Sequence, residues 1–201
     1  MVRKFPCELV SWGRIHRLGR LLALRTREAG FRPEIIVAIG RGGLIPGRIL
    51  ADYLDLMKLT SFKIEHYMGA HKQPVAQVKY PLCADLTGAR VLVVDDVSDT
   101  GDTFRVAIEH IYERSQPAEI KSAVLHHKTV STFEPDFYAQ KVVKWRWIIY
   151  PWAIMEDITG FLKRMEARPA TLEGIAGQLE LDYGIRVPRH TLEDALALIE
   201  P

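Results

Sequence analysis

Between Arg90 and Thr103 the chain runs from an aliphatic stretch directly into two carboxylates and a small polar turn. Val91, Leu92, Val93 and Val94 are too few for an ordinary helix and are rich in β-branched side chains, so they read as a buried strand. Asp95 and Asp96 stand at its C-terminal edge. Asp99-Thr100-Gly101-Asp102-Thr103 then makes a tight turn, after which Phe104, Ala107, Ile108, Ile111 and Tyr112 recur at helical spacing. Asp102 or Thr103 is the expected cap of that helix. This order brings free backbone N–H groups, two threonine hydroxyls and the positive end of a helix dipole to one point, a combination suited to a phosphate group. A purely architectural Gly/Ser/Thr turn needs no ligand. Two adjacent acids at the end of an apolar strand are costly to bury, however, unless a cation or sugar hydroxyls engage them.

The same grammar occurs earlier. Glu34 to Ile39 reads as a strand, Gly40-Arg41-Gly42-Gly43 follows at once, and Ile45, Ile49, Leu50, Tyr53 and Leu54 continue at helical spacing. Glycines let backbone approach a ligand closely, and the Arg41 guanidinium presents a planar fork that matches phosphate oxygens. The strand-turn-helix repetition predicts an α/β fold, with a mostly parallel sheet flanked by helices and a ligand at the C-terminal strand ends near a topological switch point.

Val91 to Thr103 closely resembles the phosphoribosyl pyrophosphate (PRPP) signature of the type I phosphoribosyltransferases. Ile39 to Gly47 likewise resembles the pyrophosphate loop of xanthine-guanine and archaeal purine phosphoribosyltransferases, including a cis non-proline peptide at Gly40-Arg41. The resemblance covers about residues 8 to 155. It implies transfer of the 5-phosphoribosyl group from PRPP to a 6-oxopurine (hypoxanthine, guanine or xanthine), releasing pyrophosphate, in purine salvage. In this reading Asp95 and Asp96 hold the ribose hydroxyls and Mg2+, Asp99 to Thr103 cradle the 5'-phosphate, and Gly40, Arg41, Gly42 and Gly43 hold pyrophosphate. Asp99 is also the acid near purine N7. Lys128, at the end of a strand over Glu119 to His127, matches the lysine that hydrogen-bonds the oxygen at C6. Trp147 and Ile148 match the segment that stacks on the base and reads its edge.

The polar stretch Met68 to Lys79 is expected to form a lid over PRPP, since a centre that develops a cation-like sugar gains from excluding water. Relatives open this lid with Ser-Tyr where this chain has His66-Tyr67, which makes Tyr67 the lid candidate.

A net charge of +2, from 27 basic and 25 acidic residues, gives no electrostatic case for nucleic acid or membrane binding. Cys7 and Cys83 are far apart and lack metal-ligand spacing, as expected of unpaired thiols in a reducing, cytoplasmic setting. Met1 to Cys7 is followed by no uninterrupted apolar run, so no signal peptide is expected.

Near the N-terminus, Ser11 is placed to cap a helix carrying Trp12, Ile15, Leu18, Leu21 and Leu22 and ending near Gly30. Beyond residue 155 the pattern becomes short helices: Ile154 to Met165, Thr171 to Leu181, and a last one opened by a Thr191/Asp194 capping box. Two parts are therefore expected, a phosphoribosyltransferase domain with a small hood over 1–155 and a helical appendage over 156–201. The acids Glu173, Glu180, Asp182, Glu193 and Asp194 argue against a nucleic-acid reader there and favour a structural or oligomerisation role, with a homodimer as the expected assembly. The rivals to this reading are a PRPP-sensing regulator without transferase activity and a transferase for another nucleobase.

Overall fold

Along the chain the elements are β1 (Cys7–Leu9), α1 (Trp12–Glu28), β2 (Ile35–Gly40), α2 (Leu44–Tyr53), β3 (Leu59–Met68), β4 (Pro74–Tyr80) and β5 (Arg90–Ser98). They continue with α3 (Asp102–Arg114), β6 (Glu119–Lys128), β7 (Phe137–Val142), β8 (Trp147–Ile149), α4 (Ile154–Lys163), α5 (Leu172–Tyr183) and α6 (Arg189–Ile199). This computed structural model describes residues 4–68 and 74–199, the side chains of 66–68 and 74–75 excepted. Two compact units result, one of Ile15–Lys144 and one that joins Met1–Arg14 to Trp145–Pro201.

The first unit is built on a six-stranded sheet in the order β4-β3-β2-β5-β6-β7. Only the β3–β4 pair is antiparallel. Strands buried on both faces need unbroken apolar runs, and Ile36 to Ile39, Val91 to Val94 and Ala123 to Leu125 meet that need, all being buried. Phe104, Ala107 and Ile111 of α3 join Val37, Val91, Val93 and Val124 in one core. Each of the larger side chains among these contributes about 1.5–3 kcal/mol on leaving water. With Val37 opposite Val93 and Asp95 opposite Val124, the register sets the acid pair just past the apolar run of β5, which stays paired with β6 as far as Ser98 opposite His127.

Two local expectations change. The stretch expected as an irregular lid contains β4, which pairs with β3 from Lys63/Tyr80 to Met68/Pro74. Strand pairing satisfies its backbone groups and buries Ala76, with Val78 packed against the same core, on the short alternation Ala76-Gln77-Val78-Lys79-Tyr80. Residues 69–73 and the side chain of the lid candidate Tyr67 lie outside the described residues. The cap of α3 is Gly101, at φ +96°, in place of Asp102 or Thr103. Asp102 instead turns its carboxylate to Thr100 and Arg105, and a left-handed cap position suits glycine.

In the other unit β1 and β8 form a parallel pair, Cys7 opposite Trp147. Ile149, Ile158, Phe161, Leu162, Leu179 and Leu192 are buried together there. Phe161 and Tyr183 stack with centroids 4.1 Å apart, and Phe5 meets both edge-on. The compact boundary therefore differs from the division expected at residue 155, because the N-terminal segment and β8 share a core with the tail helices. Thr171 caps α5, its hydroxyl accepting from Gly174 N at 3.1 Å, and Gly184 closes it at φ +70°. The last helix starts at Arg189, before the expected Thr191 cap. Pro188 supplies the first helical carbonyl to Leu192 N, and Thr191 is buried within the helix. Among the described residues no helix is long and apolar enough to cross a membrane, and Cys7 and Cys83 are both free thiols.

Candidate active site

β2 lies between β3 and β5, so the chain leaves the adjacent ends of β2 and β5 toward opposite sides of the sheet. A crevice opens at such a point, and both motif turns follow these two strands. The Gly40-Arg41 peptide is cis. Gly43 N donates to Ile39 O at 2.8 Å, folding the turn back on its own strand. A Cβ on Gly43 would stand 2.1 Å from Val94 O, and one on Gly42 would stand 2.6 Å from the Asp96 carboxylate. Glycine is therefore needed at position 43, where the clash is with main chain, whereas a side chain at position 42 would displace the Asp96 carboxylate. Arg41 sits on the exposed side of this turn.

Asp96 N donates to Asp95 Oδ1 at 2.9 Å. Burial of the Asp95 carboxyl, and then the neighbouring Asp96 charge, push its pKa well above the usual carboxylate range, with the Asp96 N–H acting the other way. A hard divalent cation or hydroxyl donors would relieve that repulsion, so the donor set fits magnesium. Among the described residues no group of three acidic, histidine or cysteine side chains gathers to hold an ion alone. An ion here would complete its oxygen shell from substrate.

Lys128, at the end of β6, is buried to 3% side-chain exposure, and its Nζ donates to Asp99 Oδ2 at 2.7 Å. The base-recognition candidate and the proton-transfer candidate are thus one ion pair. In the turn itself, Thr100 Oγ1 donates to Asp102 Oδ2 at 2.9 Å. A Cβ on Gly101 would lie 2.5 Å from Phe133 Cβ.

The segment Ser131-Thr132-Phe133, which carried no motif, braces this turn. Thr132 N donates to Thr100 O at 3.0 Å, and Ser98 Oγ and Ser131 Oγ lie 2.8 Å apart. Phe133 stacks on Phe104 at 5.0 Å. Its only sequence signal is a pair of hydroxyl residues shortly after Lys128. Trp147 and Ile148 belong to β8 of the other unit, where Trp147 Nε1 donates to Asp157 Oδ1 at 2.9 Å and Ile148 is buried. Burial raises the Asp157 pKa to about 6, the Trp147 N–H and Arg164 opposing that rise and Glu156 adding to it.

The family model for the phosphoribosyl transferase domain matches residues 10–156. The xanthine-guanine phosphoribosyltransferase of Cereibacter sphaeroides is 32% identical over 150 residues, covering 71% of this chain and 84% of that protein. Its counterpart from Gluconobacter oxydans is 34% identical over 146 residues, covering 71% and 82%. A crystal structure of a purine phosphoribosyltransferase from Pyrococcus horikoshii superimposes with a TM-score of 0.63 at 35% identity, covering 73% of this chain and 93% of that one. With a glycine turn resting on an acid pair at adjacent parallel strand ends, and with the family model spanning both, this chain belongs to the phosphoribosyl transferase domain family.

Proposed function

We propose that this chain transfers the 5-phosphoribosyl group of PRPP to a ring nitrogen of a 6-oxopurine, releasing pyrophosphate, in purine salvage. The observation that carries this reading is the buried Lys128–Asp99 pair at the edge of the phosphate turn. Its ammonium donates to the C6 oxygen of the base, and Asp99 takes the proton at N7. Asp99 to Thr103 hold the 5'-phosphate through backbone N–H groups and hydroxyls. Gly40 to Gly43 leave room for pyrophosphate beside the acids, with the Arg41 fork on its oxygens. Asp95 and Asp96 bind the ribose hydroxyls and would hold magnesium, which when bound with PRPP supplies positive charge against the leaving pyrophosphate. Catalysis rests on positioning and electrostatics as the sugar acquires oxocarbenium character.

The roles of Trp147 and Ile148 on the base, and of Tyr67 in a lid, rest on the sequence resemblance alone. A cytoplasmic homodimer completes the reading, and sedimentation velocity tests the assembly. Incubation with PRPP, magnesium and, separately, hypoxanthine, guanine, xanthine, adenine, orotate and uracil tests the activity. Nucleotide is expected from the three oxopurines, and its formation from orotate or uracil alone would overturn the assignment.

A further inference from the structure

The turn assigned to the 5'-phosphate contains a carboxylate of its own. Asp102 stands in the first turn of α3, within the segment that receives a dianion, and an uncompensated acid there opposes binding. The structure offsets this charge with Arg105. Arg105 Nη2 pairs with Asp102 Oδ1 at 2.9 Å and donates to Thr132 Oγ1 at 2.7 Å. Thr132 Oγ1 in turn donates to Thr100 O at 2.9 Å, beside the Thr132 N–H. Thr100 Oγ1 closes the circuit on Asp102 Oδ2 at 2.9 Å. Four residues from two distant stretches thus form one ring of contacts around the turn.

As a stability element the Arg105–Asp102 pair is weak, since its side chains are 52% and 42% exposed and such pairs are screened by solvent. Its leverage is on the ligand. Removing the guanidinium leaves a net negative charge beside the phosphate and frees Thr132 from one of its two partners in the turn. We infer that Arg105 is a positioning residue for PRPP: it neutralises Asp102 and ties the phosphate turn to Thr132, and so sets PRPP affinity and not the chemical step. The inference rests on the reading of Asp99 to Thr103 as the 5'-phosphate site.

Steady-state kinetics on the full chain with magnesium, PRPP and guanine test it. Arg105→Ala is expected to raise the KM for PRPP about tenfold with kcat within about twofold, and Arg105→Lys to recover most of that loss. The decisive variant is Arg105→Ala combined with Asp102→Asn, in which the uncompensated charge is gone. Its KM for PRPP should fall at least about threefold below that of Arg105→Ala, because Asn keeps the backbone N–H and removes the charge. Calorimetric titration with the nucleotide product GMP, which carries the same 5'-phosphate, should give the same order of affinities without turnover. A double variant no better than Arg105→Ala overturns the proposal, as does a fall in kcat at unchanged KM. Thr103→Val separates the two readings. If it leaves the KM for PRPP unchanged, the phosphate-turn reading fails and this inference falls with it. If it raises that KM while Arg105→Ala does not, only the role of Arg105 is lost.

Discussion

Burying the Lys128 ammonium requires a counter-charge, and Asp99 at 2.7 Å provides it. In the proposed function the C6 oxygen of a 6-oxopurine accepts a further Nζ–H, whereas adenine would present an amino donor and leave that hydrogen unmatched. Lys128→Ala is therefore expected to lower the preference for guanine over adenine by at least about tenfold. Trp147→Ala should weaken all purines without reordering them, because stacking is insensitive to the ring substituents. Specificity constants for guanine, hypoxanthine, xanthine and adenine measure both effects, and an unchanged preference in Lys128→Ala would sink the assignment. Asp95, Asp96, Asp99 to Thr103 and the Gly40 to Gly43 turn were all legible in the linear chain, because each motif is contiguous and its chemistry is local. Arg105, Thr132 and Asp157 were not. Arg105 meets Thr132 across 27 residues, and Asp157 meets Trp147 across 10, distances that only folding closes.

Among the elements, the turn after β2 owes its close approach to β5 to Gly43. Added Cβ density there would meet Val94 O at 2.1 Å and Ile39 backbone at 2.9 Å, all of it main chain that cannot swing away. Gly43→Ala is expected to destabilise the protein by about 3 kcal/mol and to abolish most activity, as the turn lifts off the acid pair. Gly177→Ala, in α5 with nothing within 4 Å of the added methyl, is the matched control and should be neutral or stabilise by about 0.5–1 kcal/mol. Thermal and urea unfolding of both variants checks this, and equal stabilities would contradict the packing argument. The strands β2, β5 and β6 and the helices α2, α3 and α5 were readable from periodicity because one dominant pattern governs each. β4 was not, since the Gly69 and Pro74 around its start read as loop signals and outweighed the short alternation Ala76-Gln77-Val78-Lys79-Tyr80, while its stability lies in pairing with β3.

For the molecule as a whole, the unit that joins the N-terminal segment to the tail carries its own pH dependence. The Asp157 carboxyl is raised from 3.8 to about 6 by burial. A folded-state pKa above the unfolded one makes folding tightest below about pH 4, and that contribution is lost as pH rises through 6. At neutral pH the ionised carboxylate is thus a liability of about 1–2 kcal/mol, after allowing for its partial exposure and for the Trp147 N–H that it accepts. Asp157→Asn keeps an acceptor for Trp147 and should raise stability at pH 7.5 relative to the parent, with the two curves converging toward pH 4. Urea midpoints measured from pH 4 to 8 test this, and parallel curves would rule it out.

Residue order alone was sufficient for the α/β class and for the existence of the acid pair, the Asp99 to Thr103 turn, the glycine loop and the lysine at the end of β6. Each is a run of neighbours whose spacing, charge and backbone freedom act over a few residues. The tertiary structure decided what neighbours in sequence cannot: that β2 and β5 lie side by side, and that Gly42 rests against Asp96. It also decided that Lys128 is buried against Asp99, and that β8 shares a core with the tail helices. Those outcomes depend on which apolar faces bury against each other and which charges are then left to find partners, a balance struck by the whole chain at once.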